Sequence, residues 1–228
     1  MLAALLATIV GAGAAAPYAA MAPIGQYLIS DRQAEMALAR RAAPAALSQH
    51  ATVLVLTAHG YETAARGSNG FTCLVERSWD SPFDSADFWN WHLRGPDCFN
   101  PAASRTALSF VFLRTKLALA GLSKSQMLDR IKAAVAANEL PGPALGAMAY
   151  MMSKQQYLTD GAKAWVPHLM FFTPKSDLAT NGASWGANLQ NSPVVFDSVH
   201  HVVPEPFAIL MIPVGTWSDG SPADLSKV

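Results

Sequence analysis

The sequence predicts an α+β fold: a mostly antiparallel sheet of about six strands with helices packed on one face. Three observations carry this. Short β-branched and aromatic runs separated by turn chemistry occupy residues 51–76 and recur through the last third of the chain. Between them lie two stretches with helical start signals, at about 101–121 and 123–138. The strands come in groups and do not alternate one for one with helices, which disfavours a parallel βαβ sheet.

Ser30-Asp31-Arg32-Gln33 has capping-box spacing and opens a helix to about residue 43, after which Pro44 begins a further turn. Residues 51–56 read as a buried strand, Gly60 breaks the run, and 61–66 resume an extended pattern. Gly67-Ser68-Asn69-Gly70 is strong turn chemistry. Residues 71–76 then return as a third strand, so these three form an antiparallel meander. Residues 77–100 read as a long loop. Asn100-Pro101 pairs an N-cap with proline at the first helical position and starts a helix ending near Gly121. Ser123 and Gln126 form a second capping box, followed by Met127, Leu128, Ile131, Ala134 and Val135 at helical spacing. Past a stiff Pro/Gly linker at 141–146, the strand candidates are 147–152, 167–173, 194–196 and 207–214. No repeat or sharp boundary divides residues 23–228, which read as one domain.

Composition narrows the function. The 16 basic and 16 acidic residues cancel, so no surplus of cations is present to neutralise phosphates, and nucleic acid is an unsuitable partner. With 51% hydrophobic residues, the chain has ample side chain to bury. The first 30 residues carry no charge; a short apolar run leads into small residues at Ala12-Gly13-Ala14 and Ala20-Met21-Ala22. This matches the apolar and cleavage regions of a signal peptide, without its basic start, so residues 1–22 are expected to be a leader. The run is too short to leave a transmembrane span. The expected location is periplasmic or secreted. The two cysteines, Cys73 and Cys98, fit one disulfide in an oxidising compartment.

The stretches at 67–73 (GSNGFTC), 96–98 (PDC), 146–152 (GAMAYMM), 167–172 (PHLMFF) and 208–215 (AILMIPVG) together resemble a family of uncharacterised exported bacterial proteins. The resemblance runs from about residue 51 to 217. It implies export and a shared fold, and it brings no established activity, cofactor or catalytic residue.

Several residue sets invite a chemical reading. Residues 182–186 form a literal GxSxG around Ser184, with Asp197 and His200 downstream in α/β-hydrolase order. The flanking polar loops leave no room for a nucleophile elbow, which favours a surface loop. On the 167–173 strand, alternation places His168 and Met170 on one face, a soft imidazole–thioether set suited to copper. His201, with His168 and either Glu205 or Asp97, could form the open three-ligand set of a hydrolytic zinc site. HExxH and HxH are both absent. Residues 79–99 interleave aromatics with acids, and Trp79, Trp89, Trp91 and Asp97 are candidates to bind a small ligand by stacking and charge. The same composition suits a loop packing its own core. Glu76 and Asp97 could also form a carboxylate pair. The expected function is therefore a non-catalytic small-ligand-binding or envelope-associated protein, the alternative being a metal- or serine-dependent hydrolase.

Overall fold

The computed structural model describes residues 17–175, 185–196 and 201–226. The fold is α+β, built on one seven-stranded sheet. Its strands are β1 (Thr52–Thr57), β2 (Gly60–Ala65), β3 (Thr72–Glu76), β4 (Gly95–Phe99), β5 (Met148–Met151), β6 (His168–Pro174) and β7 (Phe207–Pro213). The helices are α1 (Arg32–Arg40), α2 (Ala45–Ser48), α3 (Pro101–Ser104), α4 (Leu108–Leu119) and α5 (Lys124–Ala136). The strand order is β2-β1-β3-β4-β5-β6-β7.

One pairing departs from the meander. β1 and β2 form a hairpin, but β3 pairs on the other side of β1 and parallel to it. The chain must therefore cross the start of β1, and Gly67 is what lets it. A Cβ there would stand 2.3 Å from the Ala51 carbonyl carbon and the Thr52 nitrogen. The crossing is fastened by Ser68 N–H donating to His50 O (2.8 Å) and by the Asn69 side-chain amide donating to Leu47 O (2.9 Å). Turn residues fixed where the chain bends; close approach fixed which edge it reached.

A second difference concerns residues 77–100, which contain a strand. β4 pairs antiparallel with β3 and places Cys73 directly opposite Cys98, and the two are disulfide-bonded. Gly95, Pro96 and Asp97 are poor strand formers, so pairing with β3 along all five residues, joined by β5 at Cys98 and Phe99, creates this strand. At the other end, residues 194–196 contribute only an isolated bridge, Val195 to Met211.

Helices cover both faces of the sheet. Val53, Cys73, Val75 and Cys98 cluster with Ala39 of α1 on one side. Leu54, Leu74 and Phe99, each the chain neighbour of one of those residues, cluster with Phe110 and Leu117 of α4 and with Ile131 of α5 on the other. The N-cap of α1 is Asp31, whose carboxylate accepts from the Gln33 and Ala34 amides. Ser123 and Gln126 make the expected capping box. The stretch 101–121 is two helices, α3 and α4. Residues 1–16 lie outside the described residues. Tyr18, Met21 and Ala22 pack against the main core, so the folded body begins upstream of residue 23. Among the described residues, no helix is long and apolar enough to cross a membrane.

Gly67→Ala is expected to lower unfolding free energy by about 3 kcal/mol, measured by denaturant titration, because backbone must move to admit the methyl group. A change within a few tenths would show that the crossing is looser than described.

Candidate functional site

Strand alternation sorts the side chains of β3–β7. With the sulfurs of Cys73 and Cys98 facing α1, the other face receives Leu74 and Glu76 from β3 and Asp97 and Phe99 from β4. Following the register onward adds Ala149 and Met151 of β5, then His168, Met170 and Phe172 of β6, then Met211 and Ile209 of β7. Over this face opens a cleft of about 840 Å³. A recess of about 140 Å³ adjoins it, and the two share Glu76, Asp80, Pro82 and Met170.

The recess is unusually acidic for a buried place. Asp97 is fully buried, and its Oδ1 accepts from the Cys98 amide (2.7 Å). Its Oδ2 has no hydrogen-bond partner among the described residues, and neither have Asp80 Oδ1 and Glu205 Oε2. All three residues line the recess, as does Glu76. Burial raises the pKa of Glu76 well above the usual carboxylate range, and the charges of Asp80 and Asp97 push it further. Burial likewise takes Asp80 up to about 7 against the opposing pull of Arg114, and raises Asp97 well above its ordinary value. The enclosure of the floor thus favours protons on Glu76, Asp80 and Asp97.

Arg114 of α4 closes the recess. Its Nε donates to Glu205 Oε1 (2.6 Å), while Nη1 donates to the carbonyls of Trp79 (2.8 Å) and Ser81 (2.7 Å). The guanidinium lies 4.5 Å over the Phe83 ring. Burial alone would lower its pKa, but the Glu205 carboxylate reverses the direction. A buried arginine within the largely apolar α4 is a signal the sequence offered and that went unread. At the mouth, His201 Nδ1 lies 3.0 Å from Asp84 Oδ2, and Asp84 Oδ1 accepts from the Val202 amide (2.8 Å). That imidazole holds the Asp84 carboxyl below its usual range.

The expected site residues divide. Asp97, His168, Met170, His201 and Glu205 all line the cleft or its recess. Glu76 and Asp97 occupy diagonal positions on one face, and the charge of Asp97 raises the Glu76 pKa further. The zinc set is not gathered: Glu205 is held by Arg114 and His201 by Asp84, and His168 Nδ1 is 2.8 Å from Val166 O. Among the described residues, no three His, Cys, Asp or Glu side chains are grouped to hold a metal ion. Trp79 and Trp89 are core residues, since their large apolar rings gain more from burial than from display. Trp79 packs on Tyr27 and donates to Thr115 Oγ1 (3.0 Å); Trp89 packs edge-on to Phe88. Trp91 is half-buried against Tyr18, away from the cleft. Ser184, Asp197 and His200 lie outside the described residues. Sequence reasoning missed Asp80, Arg114, Met151 and Met211, whose roles come from which strands become neighbours.

No family model matches the chain, and neither a curated protein nor a solved structure matches it significantly.

Arg114→Met is expected to cost about 3–5 kcal/mol, because it strands the Glu205 charge in the core. Adding Glu205→Leu should recover most of that loss in the same denaturant titration. Equal stability of the single variant and the wild type would mean that the pair is solvated.

Proposed function

We propose that the protein is an exported, non-catalytic small-ligand-binding protein whose ligand is an organic cation, a protonated amine on an apolar body. The observation that carries this is the set of three carboxyl oxygens, on Asp80, Asp97 and Glu205, that line one recess without a donor among the described residues. Buried acceptors are costly to leave unpaired. A primary ammonium supplies three N–H donors, and its positive charge returns Asp80 and Asp97 to their ionised form. Leu93, Leu158, Trp165 and Met170 offer the ligand's body an apolar wall, and the cleft volume lies in the range of small-molecule sites, roughly 300–1,000 Å³. The formed disulfide and the uncharged first 30 residues support residence in the periplasm or outside the cell.

The test is calorimetric titration with primary aryl-alkyl amines carrying two- to four-carbon chains, each run against the alcohol of the same shape. The amines are expected to bind and the alcohols to fail. Binding the cation favours ionised carboxyls, so protons are released and affinity rises as pH climbs through about 7, where Asp80 titrates in the empty cleft. Asp80→Asn should weaken the best amine tenfold or more. If no amine binds better than its alcohol, the reading is wrong.

A further inference from the structure

The wall of the cleft formed by β5, β6 and β7 is chemically unlike its acidic floor. His168 and Met170 lie two residues apart on β6 and so share a face. Met211 of β7 is the direct partner of Met170, and Met151 of β5 is the direct partner of His168. All four line the same cleft. The chain has nine methionines, and a third of them stand in this one patch beside its buried histidine.

The imidazole is held ready to ligate. Nδ1 hydrogen-bonds the Val166 carbonyl (2.8 Å), and the ring rests against Trp165 with centroids 4.6 Å apart. A backbone carbonyl accepting from one ring nitrogen fixes the tautomer and leaves the lone pair on the other. Nε2 makes no hydrogen bond to the described residues. Cross-strand partners have Cβ atoms about 5 Å apart and diagonal neighbours about 7 Å, distances that unbranched methionine side chains can close onto one atom. Met151 currently extends over Gly95, its methyl 3.6 Å from where a Cβ would stand. The missing side chain at Gly95 is what lets Met151 lie toward β4, and its unbranched, freely rotating side chain can turn to β6 instead.

We propose that His168, Met170 and Met211, completed by Met151, form a binding site for a soft monovalent metal ion, Cu(I). One imidazole and three neutral thioethers select it over zinc, calcium or magnesium, which require thiolates, further imidazoles or oxygen ligands. The ion binds as Cu(I) and no electron transfer is involved. Its ligands all come from β5–β7 and none is an acid of the floor; because Met170 also faces the proposed amine's body, the metal is tested without amine.

Silver(I) is the probe, since it shares the ligand preference and needs no reductant. Both cysteines are bonded to each other, so no thiol competes for it. The measurement is silver titration of wild-type protein carrying ¹³C-methyl methionine. One equivalent is expected to shift the methyl signals of Met151, Met170 and Met211 in slow exchange, leaving those of Met36 and Met127 in place. Native mass spectrometry should count one ion per chain, and Met170→Leu/Met211→Leu should bind at least a hundredfold more weakly. The NMR result needs no variant. Unmoved signals from Met170 and Met211, or undiminished binding by the folded double variant, would overturn the proposal.

Discussion

The bond between Cys73 and Cys98 does more than join two strands. The cysteines are cross-strand partners, so their sulfurs lie on the same side of the β3–β4 ribbon, inside the small core beneath α1. Strand side chains alternate with a period of two, and a slip of one residue would turn every side chain to the opposite face. A covalent link at one register position therefore settles the orientation of the rest. Leu74 and Glu76, with Asp97 and Phe99, must point toward α4, where the cleft lies. The disulfide and the acidic floor are two sides of one pairing.

Around that ribbon the fold buries two arginine–glutamate pairs. Arg77 of the β3 end reaches Glu35 on α1 (2.7 Å), and the same carboxylate accepts from the Leu56 amide (3.1 Å). Arg77 also donates to Tyr27 O (2.7 Å), tying the segment before α1 into the body. Arg114 does the equivalent work with Glu205, Trp79 and Ser81. Buried pairs of this kind add little net stability over apolar packing and are valued for geometry. Here one pair registers α1 against the sheet, and the other holds the loop after β3 over the recess. Glu35 and Arg77 satisfy each other, whereas the Arg114 side leaves acceptor oxygens over. That asymmetry is where the molecule departs from good packing, and such departures gather at binding sites.

Much of the frame was legible in the residues. The β-branched run of β1, the alternation of β6 and the Ser123–Gln126 box each speak through local chemistry, and each appears where expected. What failed were features set by neighbours. β4 contains Gly95-Pro96-Asp97, a turn-like triplet that becomes a strand because β3 pairs with it along its whole length. β3 chose the far side of β1 because Gly67 let the chain pass within contact distance of residues 50–52. The site was half legible: alternation placed His168 with Met170, and the acids of residues 76–97 were visible as a cluster. Arg114 and Met211 come from distant segments, and their positions follow from sheet order, which local patterns do not encode. The tryptophans misled because a stacking surface and a self-packed core draw on the same residue types.

One sheet face carries an acid-lined floor whose carboxyls are largely withdrawn from water. Titration of the Asp and Glu side-chain carboxyl carbons by ¹³C NMR measures this group by group. Asp80 is expected to ionise near pH 7, and Glu76 and Asp97 to stay protonated well past the pH where Asp219, at about 2, has lost its proton. If Glu76, Asp80 and Asp97 all ionise near the ordinary value of about 4, the floor is wet, and the cleft as described does not exist.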